Sequence, residues 1–224
     1  MGTITRNFAN NLTTSGLLKP TAFDNDSFNS VTTVPDGSVE TGSMVFIKKL
    51  TASSSATLSF VDGTDGVVLD DTYKEYVFTF KDIHPETDTR NLRCYFSTDG
   101  GSTYGVTKTS TVFYSRHNEA DTNTGLSYFA SADQAQSTSP QNLTNGCGND
   151  NDQSQAGFLR LYNPSSTTFV KHFMAETSTA HGEDYYYQLF VAGYCNTTSA
   201  ITAVKFDMSS GNIDSGDICL YGIA

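Results

Sequence analysis

The stretch SATLSFVDGTDGVVLDDTYKEYVFTFKDIHP (Ser55–Pro85) decides the fold class. Its second half alternates aromatic residues with polar ones, and the aromatic positions are Tyr76, Phe78 and Phe80. Alternation with a period of two places one set of side chains on one face of a β-strand. The segment DGTDG (Asp62–Gly66) has turn composition, because Gly takes positive φ at little cost. This stretch therefore predicts strands joined by tight turns.

The strand pattern recurs from Met44 onwards, whereas helix signals are nearly absent. About eight to ten strands at spacings near ten residues predict an all-β fold, an antiparallel jelly roll or β-sandwich. The C-terminal segment FDMSSGNIDSGDICLYGIA (206–224) is predicted to form a hairpin. The other segments with this pattern are MVFIKKL (44–50), NLRCYFS (91–97), GFLRLY (157–162), TFVKHFMAE (168–176), YYYQLFVAGYC (185–195) and AITAVKFDM (200–208).

The charge of the chain restricts its partners. Its 24 acidic and 13 basic residues give a net charge of −11, the wrong sign for binding nucleic acid through phosphates. No apolar run is long enough for a transmembrane helix, so we expect no membrane insertion. The start MGTITRNFANNLTTSG lacks the basic and apolar regions of a secretory signal, which predicts synthesis in the cytoplasm.

Residues 1–43 differ from the rest, because they have no sustained period and many Asn, Ser and Thr. Such a segment is either a disordered tail or an extended arm that becomes ordered against a partner. Spaced apolar residues favour the anchoring arm, since a solvated tail would not need them. These anchors are Ile4, Phe8, Leu12, Leu17, Leu18, Phe23 and Phe28.

The remaining residues, 44–224, are predicted to form one β-sandwich domain with a long polar loop at 116–156. This loop is rich in Asn, Gln and Ser, and loops of that length in compact domains are usually functional or disordered. Its segment DNDQS (150–154) copies the start of a calcium loop, but Leu161 stands where the closing carboxylate belongs. The sequence leaves open whether the loop binds a metal ion.

Signatures of catalysis are missing from the sequence. The four histidines have no metal-ligand spacing, the four cysteines are scattered, and neither a GxSxG motif nor a phosphate-binding loop occurs. HGED (181–184) places a histidine beside two carboxylates, but it is more simply a polar turn before the next strand. We therefore expect a protein that is not an enzyme and has no catalytic, cofactor-binding or metal residues.

Two motifs carry a resemblance to a known class. The pattern D-x-x-Y-x-x-Y-x-F-x-F-x-x-I-x-P (70–85) and the ending GNIDSG…LYGI (211–223) resemble virion structural proteins of tailed phages that infect cyanobacteria and other aquatic bacteria. The start MGTITRNFANNLTTSG is similar to the N-terminal lead of several such proteins. The resemblance covers residues 1–16, 51–86 and 206–223 and leaves the middle of the chain unmatched.

The resemblance implies a tail-fibre or appendage subunit in the virion, made in the host cytoplasm. It implies a homotrimer whose arm docks on other tail or capsid proteins while the β-domain attaches to the host, with a surface glycan as a further partner. The alternatives are a capsid decoration protein (cement or head fibre) and a glycan-degrading appendage enzyme. The candidate host-facing residues in the loop are Tyr128, Phe129, Asn142, Asn149, Asp150 and Asp152.

Overall fold

The computed structural model describes residues 43–224, which contain thirteen β-strands and no α-helix. No helix in this range is long and apolar enough to cross a membrane. The strands are β1 (Met44–Thr51), β2 (Leu58–Val61), β3 (Glu75–Pro85), β4 (Leu92–Ser97), β5 (Lys108–Asn118), β6 (Thr124–Tyr128), β7 (Gln134–Ser137), β8 (Gln141–Asn142), β9 (Gln155–Tyr162), β10 (Lys171–His181), β11 (Tyr185–Cys195), β12 (Ala203–Met208) and β13 (Ile213–Ile223).

Eight of these strands form a jelly roll. One sheet contains the order β1-β13-β3-β9, and the other has the order β2-β12-β4-β8. With these eight strands renumbered along the chain, the orders become 1-8-3-6 and 2-7-4-5, which is the double Greek key of a jelly roll. We call these eight strands the body. The predicted antiparallel jelly-roll sandwich is therefore confirmed.

Five further strands extend one sheet of the body. Strands β10, β11, β5 and β6 continue from β9, and β7 also pairs with β5, so that this sheet has nine strands. All the pairings are antiparallel, and β10, β11 and β5 are each eleven residues long. We call these five strands the extension. They come from two insertions in the jelly roll, one between β4 and β8 and one between β9 and β12.

The core lies between the inner faces of the two sheets. Phe206 on β12 meets Phe78 and Phe80 on β3 at ring-centroid distances of 5.4 and 5.3 Å. Phe96 on β4 meets Phe173 on β10 at 5.2 Å. These rings are almost completely buried, as the alternation along β3 and β4 predicts. Aromatic contacts of this kind add to the stability that area burial alone provides.

The predicted C-terminal hairpin is wrong. Strand β12 pairs with β2 and β4 in the smaller sheet, whereas β13 pairs with β1 and β3 in the larger one. The turn between them therefore carries the chain from one sheet to the other, as in a jelly roll. The pairing of β13 with β1 brings Ser43 beside the last residue, and the Ala224 amide donates to the Ser43 carbonyl at 3.0 Å.

The segment 116–156 is not one long loop. It contains the end of β5, the start of β9 and the whole of β6, β7 and β8, which accounts for the strands beyond the predicted number. Its last part covers the inner face of the extension, where Gln141, Leu143 and Cys147 are fully buried. The polar composition of this segment predicted a loop, but its polar side chains can be buried because they find hydrogen-bond partners. The side chain of Gln141, for example, donates to the Ala132 carbonyl and accepts from the Ser110 hydroxyl.

The predicted arm lies, except for Ser43, outside the described residues. The same holds for all seven anchors, so their role stays a prediction. The described residues, 43–224, belong to one compact unit.

Candidate functional site

The outer face of the nine-stranded sheet is the most unusual surface of the described residues. The smaller sheet packs against the inner face, through contacts such as Phe206 to Phe78. Within residues 43–224, no second sheet covers the outer face of the larger one. Large apolar side chains nevertheless stand on it, and Met174, Phe113 and Phe46 are 50, 43 and 42 % exposed. Contiguous exposed apolar surface of this kind usually marks an interaction site.

Strand register aligns these side chains into two rows that run across the sheet. The first row joins seven cross-strand neighbours, from β1 to β5: Phe46, Tyr221, the buried Val77, Arg160, Met174, Ala192 and Thr111. The second row runs beside it from β1 to β6: Lys49, Cys219, Thr79, Phe158, Glu176, Phe190, Phe113 and Tyr128. We call these fifteen residues the outer face.

The middle of the outer face is ordered by contacts between its own side chains. The rings of Phe113 and Phe190 stack with centroids 4.7 Å apart and planes 11° apart. The Arg160 guanidinium lies 5.2 Å from the centre of the Phe158 ring and forms an ion pair with Glu75. Such cation–π and stacked contacts hold flat side chains in fixed positions. The face therefore presents a preformed surface.

Two shallow depressions lie side by side on this surface. One, of about 330 Å³, is lined by Phe113, Phe158 and Phe190 among others. The second, of about 500 Å³, extends towards His172 and Tyr194. The two share Thr111, Met174 and Ala192, so together they form a continuous apolar groove across β10, β11 and β5.

The outer face is nearly neutral although the chain is acidic. Its charged residues are Lys49, Arg160 and Glu176, against a net charge of −11 for the whole chain. The Gln188 amide donates to the Glu176 carboxylate at 2.6 Å, which leaves fewer free lone pairs on that charge. Neutral apolar surface on an acidic protein is the place where two copies can meet with the least repulsion.

The six predicted host-facing residues do not form one cluster. Tyr128 is exposed on β6 opposite Phe113, and the half-buried Phe129 packs on Tyr114 at 5.3 Å. Asn142 lies on β8, where it pairs with Arg93 in the smaller sheet.

The other three predicted residues, Asn149, Asp150 and Asp152, are exposed on the turn before β9. There the Asn149 amide donates to the Glu86 carbonyl at 3.2 Å. These six residues therefore occupy three separate places, of which only the position of Tyr128 belongs to the outer face.

Cys147 and His181, whose side-chain types can act in catalysis, pair in an isolated β-bridge and are both buried. Cys147 is fully buried, and burial raises the pKa of its thiol to about 12, so it is not a thiolate near neutral pH. His181 begins the tight turn before β11, and its Nδ1 accepts from the Glu183 amide at 3.1 Å. Burial lowers the pKa of His181. Within residues 43–224, no group of three or more His, Cys, Asp or Glu side chains could hold a metal ion.

Comparisons of the chain with protein-family models, with curated proteins and with solved structures find no match. The role of the outer face therefore has to be inferred from its own chemistry.

The sequence prediction did not find the outer face, because it assigned only one buried face to each strand. In LRLYN and YYYQLFVAGYC, aromatic and aliphatic residues occupy both faces of the strand, as in Phe190 beside Leu189 and Val191. Large apolar residues on both sides of an alternating strand are the signal that both faces of the sheet carry apolar surface.

Proposed function

We propose that the chain is a structural subunit of a bacteriophage particle, a tail-fibre or appendage protein that contributes to host attachment without catalysis. The outer face is the observation that carries this proposal. A sheet that buries one face in its own core and presents an ordered apolar groove on the other is suited to assembly. The resemblance in residues 51–86 and 206–223 supplies the kind of particle.

The proposed occupant of the outer face is a further copy of the same chain. Three copies would bring their outer faces together around a common axis, in the homotrimer that the resemblance implies. The near neutrality of the face supports this choice, because its three charged residues add little repulsion between copies of an acidic chain. Phe113, Met174 and Phe190 would then form the buried centre of the interface, where aromatic residues and Met are enriched.

The jelly roll agrees with this role. Jelly rolls occur in viral capsid proteins and in lectins, and one fold serves many unrelated functions. Among the predicted host-facing residues, those on the exposed turn before β9 remain the proposed contact to host glycan. Asn149, Asp150 and Asp152 offer the amide and carboxylate groups that bind sugar hydroxyls.

The oligomer is tested by charge insertion into the outer face. Phe113→Glu and Met174→Glu each place a charge in the groove, whereas Phe169→Glu places one at an apolar residue outside it that is 69 % exposed. Light scattering after size-exclusion chromatography should give a trimer for the wild type and Phe169→Glu, and monomers for the other two. A monomeric wild type, or a trimer that survives both groove substitutions, would overturn the proposed interface.

The particle is tested by locating the protein on purified virions. Antibodies against the β-domain, used in immunogold electron microscopy, should label the tail or its appendages at a few sites per particle. Labelling spread over the head shell would show that the protein is a capsid decoration protein and not an appendage subunit. Shortened chains after incubation with host polysaccharide would favour the glycan-degrading alternative. No label on any virion would overturn the proposal.

A further inference from the structure

The smaller sheet carries a second ordered surface, on the face that points away from the core. Along β4 and β12, Cys94 and Phe206 are fully buried in the core, whereas their neighbours Tyr95 and Lys205 are partly exposed on the opposite side. Strand register places six residues on that side in two adjacent rows. These are Ser59, Lys205 and Tyr95 in the first row, and Asp207, Arg93 and Asn142 in the second. We call these six residues, together with Tyr104 from the loop after β4, the polar platform.

The Lys205 side chain is held at the centre of the platform by two aromatic rings. Its ammonium lies 4.2 Å from the centre of the Tyr95 ring and 4.5 Å from that of Tyr104. Tyr104 belongs to an ordered loop, in which the Asp99 carboxylate accepts from the hydroxyls of Ser97 and Thr103 at 2.6 Å each. Contacts with two rings fix the position of an ammonium group without supplying a hydrogen-bond acceptor.

Arg93 and Asp207 form the second fixed part of the platform. The Arg93 guanidinium donates to both carboxylate oxygens of Asp207, at 2.8 and 2.9 Å, in the fork geometry of a bidentate pair. The Tyr95 hydroxyl donates to the same carboxylate at 2.8 Å. Burial raises the pKa of Tyr95, and the bond to Asp207 adds to the shift, so this hydroxyl stays protonated. The Asp207 carboxylate is therefore satisfied by these two neighbours.

Four side chains of the platform keep polar groups without a protein partner. Within residues 43–224, Lys205 forms no ion pair. The hydroxyls of Ser59 and Tyr104 and the amide of Asn142 likewise form no hydrogen bond with a described residue. These groups reach solvent, because the buried polar side-chain atoms without a partner in this range belong to Arg90, Gln155 and Thr179. The platform therefore offers donors and acceptors on a fixed aromatic base.

The composition of the platform favours a sugar over a protein partner. The well-exposed large apolar side chains of residues 43–224 all lie outside β2, β4, β8 and β12. A protein interface would need such side chains at its centre. A sugar presents hydroxyl groups, which donate and accept, around apolar C–H faces that pack on aromatic rings. The free ammonium, amide and hydroxyl groups beside Tyr95 and Tyr104 match both features.

The position of the platform keeps it accessible in the proposed trimer. The outer face belongs to the larger sheet and the platform to the smaller one, so the two surfaces lie on opposite sides of the sandwich. When three outer faces meet around an axis, the three platforms point away from it. Three identical sites on one oligomer strengthen a weak interaction through multivalent binding.

We infer that the polar platform binds a host surface polysaccharide through its sugar hydroxyl groups. Lys205 and Asn142 donate to these hydroxyls, and the Tyr104 ring packs against a C–H face of the sugar. This inference rests on the proposed role in host attachment and gives that role a second surface, besides the exposed turn before β9. Asn142, one of the predicted host-facing residues, belongs to this surface.

A polysaccharide array tests the inference on the purified full chain. The array carries surface polysaccharides extracted from cyanobacteria and other aquatic bacteria, and an antibody detects the bound protein. Saturable binding to at least one polysaccharide is expected, and oligosaccharides cut from it should compete in solution. No saturable binding to any polysaccharide on the array would overturn the inference.

Substitutions show whether the platform is the binding surface. Lys205→Met and Tyr104→Ala should each weaken binding by at least about tenfold, because each removes a direct contact with the sugar. Lys81→Met and Phe169→Ala are the matched controls, at an exposed lysine and an exposed ring outside the platform, and should bind as the wild type does. A loss in the controls as large as in the platform variants would overturn the assignment.

Asn142→Ala keeps the test valid if the first two variants fail to fold. The Asn142 amide holds no other described side chain, so its removal should leave the fold intact and weaken binding by about threefold or more. Unchanged binding in every platform variant that folds would overturn the assignment. A trimer that labels phage tails but binds no polysaccharide would overturn this site alone. A monomer that is absent from virions would instead overturn the proposed function, whatever polysaccharide it binds.

Discussion

The body and the extension of the same nine-stranded sheet are buried in different ways. In the body, Phe78 and Phe80 on β3 meet the rings of the smaller sheet, and the interior is almost wholly apolar. In the extension, β5 and β10 bury charged and hydroxyl side chains beside their apolar ones. These are Lys108, Lys171, Thr177, Thr179 and His181.

The difference follows from what covers each region. The body is closed by a second sheet, whose regular alternation supplies apolar side chains. The extension is closed by the irregular segment around β8, whose backbone carbonyls and amides need partners. Buried hydroxyl and amide side chains supply them, as when the Thr177 hydroxyl donates to the Leu143 carbonyl at 2.5 Å. The body is thus held by an apolar core, whereas the extension adds buried hydrogen bonds to its apolar contacts.

The largest effect is expected in the body. Phe206→Ala removes a fully buried ring that contacts Phe60, Phe78 and Phe80 at 5.3 to 6.2 Å. Loss of a buried aromatic side chain costs about 3–5 kcal/mol of unfolding free energy, as transfer and cavity terms combine. Urea denaturation followed by circular dichroism measures this loss. A loss below about 1 kcal/mol would show that the rings do not hold the sheets together.

Truncation in the extension should have a smaller but still global effect. Leu189→Ala on β11 removes a fully buried side chain and should cost about 2–4 kcal/mol. Because β10 and β9 pair over seven residues, we expect the extension to unfold together with the body in one transition. Fluorescence and circular dichroism transitions that coincide would support this. Two separated transitions would show that the extension is an independent unit.

A matched pair of threonines tests the hydrogen-bonded interior. Thr177→Val leaves the Leu143 carbonyl without its donor and should cost about 1–3 kcal/mol. Thr179 lies two residues further on the same buried face, and within residues 43–224 its hydroxyl has no partner. Thr179→Val should therefore be neutral or stabilising. Equal losses for both variants in urea denaturation would contradict this account of the extension.

The smallest effect concerns pH. Burial lowers the pKa of His181 below its ordinary 6.5, while Glu183 and Asp88 oppose the shift. Below about pH 6.5 the unfolded chain then binds more protons than the folded one, so stability falls as the pH falls. His181→Gln should reduce this fall between pH 7 and pH 5, by up to about 1 kcal/mol. His172→Gln, at an exposed position in the second depression, is the control.

The sequence predicted the body well, because its strands obey simple alternation. Tyr76, Phe78 and Phe80 on β3, and Leu92 and Phe96 on β4, are buried as expected. Alternation does not show which strands pair with each other, however. The sequence therefore predicted one hairpin for β12 and β13, although these strands belong to different sheets. Pairing depends on contacts between residues that are far apart in the chain, and a single sequence does not display them.

The extension was predicted poorly, because it breaks the rule that polar residues are exposed. Gln141 and Thr144 sit in a polar run, yet both are buried with their hydrogen bonds satisfied. Lys108 and Lys171 stand at the first positions of strands, where a lysine ordinarily points to solvent. The groove on the outer face was not predicted for the opposite reason. Phe113 and Met174 are exposed, although their apolar side chains are typical of core residues.

The pairing of β1 with β13 has a practical consequence for engineering. Since Ser43 and Ala224 are joined by a backbone hydrogen bond of 3.0 Å, a short glycine-rich linker could bridge them without distorting either strand. A circular permutant of residues 43–224 could then open at the exposed turn around Asp121, where insertions disturb little. Such a rearranged domain would join both former ends of the sandwich, move the new ends to the turn around Asp121 and leave the outer face intact.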